Sequence, residues 1–365
     1  MSKARNHEID LLRGIACAAV VVFHFLYRGQ QDAWIADAAP PALAQAARYG
    51  YLGVHLFFII SGYVIFMSMQ GSTARGFVAS RAARLYPAYW VAALLTTAVS
   101  WGLASELFPV RTRDLLINLT MLTHWLPLGL KVEYVDGAYW SLAVEFQFYL
   151  LMLLVMRAGW LARVEQPLTA WLALSTLDFF KRMYYPELWL ALDWAPLFSA
   201  GILFYRIRHH GLTRRRYLLL WWSFVLALGH STQPWEMAIG APGDPPRSAW
   251  VVACALTAFF GLFSLIAADR WQMRGSALTV WAGALTYPVY LLHQNIGYML
   301  LEAWREALPS FPLRLALVMA VVLVAAWAVH RGVERPLGPM LRRWIDPSRT
   351  RGRRPVRASA LQPSS

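Results

Sequence analysis

The most constraining feature of the sequence is its first apolar segment, Ile9 to Tyr27, which carries an arginine and a histidine among apolar residues. About 20 residues rising 1.5 Å each match a hydrocarbon core of about 30 Å, so this segment is a candidate transmembrane helix. Arg13 and His24 then lie inside or at the edge of a bilayer, where an ionisable side chain is costly and typically functional. At about 100° per residue both fall on one helix face, about 16 Å apart along the axis.

The composition is typical of an integral membrane protein. Of the 365 residues, 58% are apolar and 15% charged, with 18 tryptophans and a mean hydropathy of +0.41. The net charge of +14 would suit nucleic acid, but the arginines lie in gaps between apolar runs, so no nucleic-acid partner is predicted. Cys17 and Cys254 lie within apolar segments, which favours ordinary buried thiols over a disulfide, and no metal is predicted.

The apolar runs predict an all-α fold, a polytopic membrane bundle of about ten transmembrane helices. The predicted spans are residues 9–27, 51–70, 86–104, 139–157, 168–180, 187–205, 217–231, 249–268, 278–300 and 313–331. With a cytoplasmic N-terminus, most of the 34 lysines and arginines fall on inner segments, which predicts that both termini are cytoplasmic. The stretch from Leu115 to Leu130 is interpreted as an eleventh crossing or an interfacial helix.

The predicted domain boundary lies near the C-terminus. Residues 1–345 are assigned to the transmembrane domain, and residues 346–365, rich in Arg, Pro and Ser, to a basic cytoplasmic tail. This tail is predicted to be disordered and to attract anionic lipid. No small-residue cleavage site follows the first span, so it is interpreted as a retained helix. Because the sequence shows no glycine-rich phosphate loop, the chemistry is expected in the bundle or its loops.

The second span and the loop after it carry two pairs of candidate residues. His55 and Ser61 lie in the span, although Ser61 with Gly62 is also typical of close helix packing, and a histidine at a helix end is often only interfacial. Arg81 and Arg84 are three residues apart and would share a helix face, an arrangement suited to a phosphate or diphosphate. The alternative is that they only determine topology.

The fourth span places a carboxylate about one turn inside the membrane. Glu145 is four residues from Ser141, so the two share a face, and Trp140 precedes them. A carboxylate at this depth must be protonated, paired with a cation or facing a wet cavity. Pairing with His24 or with an arginine is the economical solution.

Three polar residues in later spans are weaker candidates. Asp193 lies in LALDWAP, and Tyr290 and His293 lie in LTYPVYLLHQ. A structural role and a functional role remain open for each of them.

Taken in order, these motifs resemble the acyltransferase family 3, bacterial integral-membrane acyltransferases that modify cell-surface glycans, exopolysaccharides and some macrolides. Arg13 and His24 match the family's first-helix signature, in an I-D-x-x-R-G-I-A setting that includes Asp10. The resemblance runs from about Arg5 to Arg343. The other matches are FFIISG at 57–62, RAAR at 81–84, WSLAVEFQFYL at 140–150, FSAGILFYR at 198–206, YPVYLLHQ at 287–294 and VERP at 333–336. His55 is a departure, because many members carry Asp after G-V.

The resemblance implies an acyl-CoA donor, with acetyl-CoA as the default, held on the cytosolic side by Arg13, Arg81 and Arg84. His24 would be the general base on the acceptor hydroxyl or a transient acyl carrier, a role that suits a pKa near neutrality. Glu145 would orient His24 and stabilise its imidazolium. The remaining residues expected to support the site or the substrate are Asp10, His55, Ser61, Trp140, Ser141, Tyr290 and His293.

The implied reaction is O-acetylation of a cell-surface polysaccharide, an exopolysaccharide or a lipid-linked oligosaccharide precursor. The expected location is the bacterial inner membrane, with multiple spans, a lipid bilayer around them and other polysaccharide-assembly proteins as partners. The loop 105–138, rich in Trp, Tyr and charge, is expected to contribute to the acceptor platform. Two alternatives are an acyltransferase with a lipid or macrolide-like acceptor, and a transporter or flippase, against which no internal inverted repeat is visible.

Overall fold

The computed structural model describes residues 6–37, 39–103, 106–123, 125, 132–238 and 246–347, and every regular element in these ranges is helical. This confirms the predicted all-α fold. Helices α1 to α6 are His7–Phe23, Gly29–Gln31, Pro41–Ala47, Leu52–Met69, Ala74–Gly102 and Thr112–Asn118. Helices α7 to α12 are Tyr139–Arg157, Glu165–Phe180, Tyr184–Leu190, Ala195–His210, Arg214–Ser231 and Pro234–Ala238. Helices α13 to α17 are Ala249–Ala267, Ala277–Leu292, Gln294–Ala303, Phe311–Val329 and Arg335–Ile345. Short π-helical turns occupy His24–Arg28 and His330–Glu334, and a 3-10 turn occupies Leu161–Arg163.

Five helical stretches of the described chain are long and apolar enough to cross a membrane. They are His7–Gln31, Pro41–Met69, Tyr139–Arg157, Ala249–Ala267 and Phe311–Ile345. Large apolar side chains such as Leu154, Trp250 and Val324 point outward and are 64%, 81% and 66% exposed, as expected for a lipid-facing surface. The fold is therefore that of a membrane protein, while the count of about ten spans and the cytoplasmic termini remain predictions.

Several helices begin where the sequence supplies a hydroxyl N-cap. The Oγ1 of Thr73 accepts the Gly76 N–H at 3.0 Å and starts α5, and Ser276 accepts the Thr279 N–H at 3.2 Å to start α14. Helix α5 therefore begins well before residue 86. Arg81 and Arg84 lie within it and not in a loop, which corrects the sequence interpretation.

Two predicted spans are broken helices. Span 187–205 is divided between α9 and α10, with Ala191 in the left-handed region (φ 47°). Span 278–300 breaks at His293, where the Oδ2 of Asp136 accepts the Asn295 N–H at 2.9 Å, in place of the acceptor that a continuous helix would supply. A polar side chain from a distant loop thus replaces one backbone acceptor at the break.

Among its described residues, the segment from Leu115 to Leu130 contains the last residues of α6. This helix has seven residues, about 10 Å of rise, which is too short for a crossing. Residues 124 and 126–131, and most of the predicted tail, at 348–365, lie outside the described residues.

A close helix crossing, between α4 and α10, holds in place the helix that carries His55 and Ser61. A Cβ added at Gly62 would overlap the carbonyl oxygen of Phe198, and one added at Gly201 would overlap that of Ile59. The two backbones therefore touch at these glycines, as small residues permit in membrane bundles. The packing interpretation of Gly62 is confirmed.

Gly201→Ala is expected to destabilise the fold by about 3 kcal/mol, because overpacking here pushes backbone against backbone. The measurement is the unfolding midpoint of purified protein in detergent. Gly261→Ala, in α13, is the matched control, since its Cβ would meet nothing within 4 Å. Equal midpoints for the two variants would show that α4 and α10 are not in contact.

Candidate active site

Five helices, α1, α4, α5, α7 and α14, enclose a cavity of about 100 Å³, which we call the arginine pocket. Three arginines and one carboxylate line it among apolar side chains. The pocket brings together seven of the residues predicted from the sequence, namely Arg13, Ser61, Arg81, Arg84, Ser141, Glu145 and Tyr290. The charged and polar candidates of four separate spans therefore converge.

Glu145 is the carboxylate of the arginine pocket and is held by two hydroxyl groups. Its Oε1 accepts from the Oγ of Ser61 at 2.5 Å and from the hydroxyl of Tyr149 at 2.7 Å. The guanidinium of Arg81 lies 5.9 Å from the centre of the Tyr149 ring. Glu145 therefore partly neutralises the arginine pocket. Of the two partners expected from the sequence, His24 or an arginine, Glu145 is not hydrogen-bonded to His24 and lies instead among the arginines of the pocket.

The other two arginines are held at opposite walls of the arginine pocket. Arg84 lies 3.5 Å from the Oε1 of Glu334 and 5.3 Å from the centre of the Tyr287 ring. Arg13 lies 3.7 Å from the Oδ1 of Asp10, one turn earlier in α1. Asp10 thus supports Arg13 and does not itself line the cavity. Three guanidinium groups against one lining carboxylate leave the pocket positively charged.

A second cavity, of about 510 Å³, adjoins the first and is walled by rings; we call it the aromatic pocket. Trp140 and Trp194 lie with ring centres 5.5 Å apart. The guanidinium of Arg247 lies 4.1 Å from the centre of the Tyr51 ring. The principal side chains around it are His24, Arg28, Trp34, Tyr51, His55, Trp140, Trp194, Glu236, Arg247 and Tyr290. Its walls thus combine flat rings, tryptophan and tyrosine among them, with charged groups.

His24 lies on the wall of the aromatic pocket and is hydrogen-bonded to a second histidine. Its Nδ1 is 2.8 Å from the Nε2 of His293, which is fully buried. The Nδ1 of His293 lies 2.8 Å from the carbonyl oxygen of Tyr290. Since a carbonyl only accepts, that Nδ1 carries the proton, and the Nε2 of a neutral His293 is an acceptor. His24 must then donate from Nδ1, which leaves its Nε2 as the basic nitrogen.

Tyr290 separates the two pockets. Tyr290 and Val54 line both cavities, and the hydroxyl of Tyr290 lies 2.7 Å from the Oγ of Ser141. The arginine pocket and the His24 imidazole therefore lie on two sides of one tyrosine. His55 lines the aromatic pocket, between the rings of Tyr51 and Trp194 at 5.6 and 5.4 Å.

Sequence reasoning missed the residues that fix the break at His293. Asp136 accepts the backbone N–H of Ala138 and of Asn295, each at 2.9 Å, and burial raises the pKa of Asp136 to about 7. The side-chain amide of Asn295 donates to the carbonyl of Val135 at 3.1 Å. Asp136 lies three residues before the start of α7, which suggests a cap, but no local signal pairs it with Asn295.

Two further contacts shape the His24 side of the site. The hydroxyl of Tyr298 donates to the carbonyl oxygen of His24 at 3.0 Å, where the π-helical turn begins. Glu236, in the short helix α12, lines the aromatic pocket, and burial raises its pKa, against the opposing effect of Arg247. Neither residue carries a sequence pattern that reveals this placement.

Asp193 belongs to a separate acidic group. With Asp178 and Glu187 it forms a group whose carboxylate oxygens lie within 4.8 Å of one another. Arg182 donates to both Asp178 and Asp193, and the Nδ1 of His230 lies 3.0 Å from Asp193. The group thus carries its own counter-ion next to the break between α9 and α10, which favours the structural interpretation of Asp193.

The chain is similar to proteins of one known family. The profile of acyltransferase family 3, described as an acyltransferase domain, matches residues 6–331. Acyltransferase MdmB of Streptomyces mycarofaciens is 27% identical over 97% of this chain and 94% of its own length. No solved structure matches the chain.

Two O-acetyltransferases are similar over a smaller part of the chain. Peptidoglycan O-acetyltransferase OatA of Listeria monocytogenes is 27% identical over 40% of this chain and 23% of its own length. O-acetyltransferase OatA of Staphylococcus aureus is 26% identical over 40% of this chain and 24% of its own length. The chain thus spans about a quarter of each of these proteins. Because the family profile covers nearly all of the described chain, the protein belongs to acyltransferase family 3.

Proposed function

We propose that the protein is a membrane-embedded O-acetyltransferase that moves an acetyl group from acetyl-CoA to a hydroxyl of a cell-surface polysaccharide, an exopolysaccharide or a lipid-linked precursor. One observation carries the proposal. His24, with Nε2 as its basic nitrogen, lines the aromatic pocket, which shares Tyr290 and Val54 with the arginine pocket. An acyl donor that carries phosphates would suit the arginine pocket, and an acceptor built of sugar rings would suit the aromatic pocket.

The arginine pocket suits the donor. CoA is anionic at its nucleotide end and carries its thioester on a long, thin pantetheine arm. Arg81 and Arg84 supply planar donors that match phosphate geometry, and Arg13 adds positive charge deeper in the cavity. The volume of about 100 Å³ is too small for the nucleotide or for the whole arm, so the phosphates would lie at the mouth of the pocket and only the thioester end of the arm would reach past Tyr290 toward His24.

The proposed reaction steps use the Nε2 of His24, the ring nitrogen that does not contact His293. The acceptor oxygen attacks the thioester carbonyl carbon while its proton passes to the Nε2 of His24. The carbon–sulfur bond then breaks, and the imidazolium returns the proton to the CoA thiolate. His293 keeps the other nitrogen protonated throughout and so holds the productive tautomer. Arginines around Glu145 would offset negative charge on the donor.

A second role for His24 gives the same products. As an acyl carrier its Nε2 would attack the thioester, and the acceptor hydroxyl would displace the acetyl group from nitrogen in a later step. The two routes differ in steady-state kinetics. Parallel double-reciprocal plots indicate the carrier route, and intersecting plots indicate direct transfer.

The aromatic pocket is proposed as the acceptor site. Trp140 and Trp194 present ring faces that pack on the apolar faces of sugars, while Glu236 and Arg247 offer hydrogen-bonding groups. The O-acetyltransferase names of two relatives support acetyl as the group, and the peptidoglycan in the name of one of them supports a glycan acceptor. The near full-length match to a relative named simply an acyltransferase keeps a lipid or macrolide-like acceptor as the alternative.

The proposed setting is the bacterial inner membrane, with residues 1–345 as the catalytic transmembrane domain and the basic tail on the cytosolic side. Other polysaccharide-assembly proteins are proposed partners. A transporter is the remaining functional class. Purified protein in detergent has no compartments, so steady release of CoA from acetyl-CoA there supports an enzyme, and CoA binding without release supports a transporter.

Arg84→Ala is expected to raise the KM for acetyl-CoA about 10- to 100-fold, because one charge-assisted bond to phosphate is lost. The KM for the acceptor should stay within about twofold, since Arg84 does not line the aromatic pocket. Initial rates at varied donor and acceptor concentrations measure both. An equal loss for the two substrates would indicate misfolding and remove Arg84 from the donor site.

A further inference from the structure

A second basic cavity lies against the arginine pocket, between α5 and α17, and the mechanism above does not use it. We call it the basic groove, and its volume is about 800 Å³. Four arginines line it, against the carboxylates of two acidic residues. These charged residues are Arg84, Arg335, Arg342, Arg343, Glu334 and Asp346.

The walls of the basic groove are held in place by backbone contacts. Helix α17 lies so close to α5 that a Cβ added at Gly338 would be 3.1 Å from the carbonyl oxygen of Ala83. At the far end of α17, the Nε of Arg75 donates to the carbonyl oxygen of Ile345 at 2.5 Å. The groove is thus a formed feature between two packed helices.

The charge of the basic groove is incompletely neutralised. Glu334 is already engaged, 2.6 Å from the Nδ1 of His330 and 3.5 Å from Arg84. Arg335 and Arg343 are exposed and form no salt bridge with any residue that the structure describes. Two guanidinium groups are therefore available to an anion, and phosphate is the group that their planar donors match.

The basic groove is continuous with the proposed donor site. Arg84 lines both the groove and the arginine pocket. An elongated ligand held in the groove would pass Arg84, enter the arginine pocket and end at Tyr290 beside His24. A volume of about 800 Å³ is in the range of sites that enclose a molecule of nucleotide size.

We propose that the basic groove binds the nucleotide end of CoA, with Arg335, Arg342 and Arg343 around the 3′-phosphate and Arg84 at the diphosphate. This inference rests on the proposed function, because it assigns the rest of the same donor. The phosphate of an anionic lipid headgroup shares this chemistry. Continuity with the arginine pocket through Arg84 favours the nucleotide.

The test compares CoA with dephospho-CoA, which lacks only the 3′-phosphate, by isothermal titration calorimetry on the full-length protein. Wild type should bind CoA about tenfold more tightly than dephospho-CoA, the scale of a charge-assisted phosphate contact. The double variant Arg335→Gln, Arg343→Gln should bind the two ligands equally. Arg331→Gln is the matched control, since Arg331 is exposed nearby and does not line the groove, and it should keep the tenfold difference.

Each contrary outcome has a distinct meaning. Equal binding of CoA and dephospho-CoA to wild type, or a difference that survives in the double variant, overturns the inference and leaves the proposed function standing. A lipid site is indicated if the double variant loses affinity for phosphatidylglycerol vesicles and keeps the CoA preference. If wild type binds neither CoA nor dephospho-CoA, the proposed function fails together with the inference.

Discussion

His24→Ala is expected to lower acyl transfer by about 10⁴-fold, the upper end of what a positioned general base contributes. As an acyl carrier His24 would be equally indispensable. Acetyl-CoA affinity should change less than about threefold, because His24 lines the aromatic pocket and not the arginine pocket. Initial rates and calorimetric binding on the same preparation measure both quantities.

The matched control for this variant is His210→Ala. His210 is exposed at the end of α10 and lines neither pocket, so its loss should leave the rate unchanged. Activity within tenfold of wild type in His24→Ala would remove His24 from the mechanism. A parallel loss of acetyl-CoA binding would show instead that the substitution disturbs the bundle.

His293 is a positioning residue, and His293→Leu is expected to lower kcat about 100-fold, the scale seen when an orienting hydrogen bond to a functional histidine is lost. Leucine is of similar size and cannot accept the proton on the Nδ1 of His24, so the imidazole can adopt the wrong tautomer. KM for acetyl-CoA should hold, because His293 does not line the arginine pocket. Steady-state kinetics separate the two parameters.

His293→Gln distinguishes tautomer control from a merely structural role. Its amide oxygen can accept from the Nδ1 of His24, so kcat should recover about tenfold relative to His293→Leu. Both variants disturb the carbonyl contacts that the buried ring makes at the helix break. Equal kcat values in the two variants would mean that His293 only maintains the break.

Local sequence patterns predict those features of the fold that belong to a single helix, such as its bounds and which residues share a face. The fourth span was predicted at 139–157 and is the helix Tyr139–Arg157. Helical spacing placed Arg13 and His24 on one stripe, and α1 remains regular up to His24, where the π-helical turn begins. These two residues line the adjoining pockets that share Tyr290.

The partner of His24 could not be predicted in this way. His24 and His293 are 269 residues apart, and no periodicity within α1 or α14 specifies which helices are neighbours. An isolated carboxylate in an apolar span indicates only that some partner exists. On that ground Glu145 is expected to pair with His24 or with an arginine, whereas the fold supplies hydrogen bonds from Ser61 and Tyr149.

The broken helices were unpredictable for a related reason. Hydropathy is averaged over a window of residues and therefore shows no interruption across residues 278–300. The break in this span depends on Asp136, more than 150 residues away. At Arg81 and Arg84 the error is the opposite one, because a helical segment is interpreted as a loop. Their charges suggested a loop, but the N-cap at Thr73 extends α5 back across them.

The most direct measurement of the central claim is the product itself. Purified wild type and His24→Ala would be incubated with acetyl-CoA and an extract of surface polysaccharide and lipid-linked precursors, and ester formation followed by mass spectrometry. The account predicts an acetyl ester on a glycan hydroxyl with wild type and none above background with His24→Ala. An ester formed equally by both proteins, or CoA bound by wild type without any ester, would contradict it.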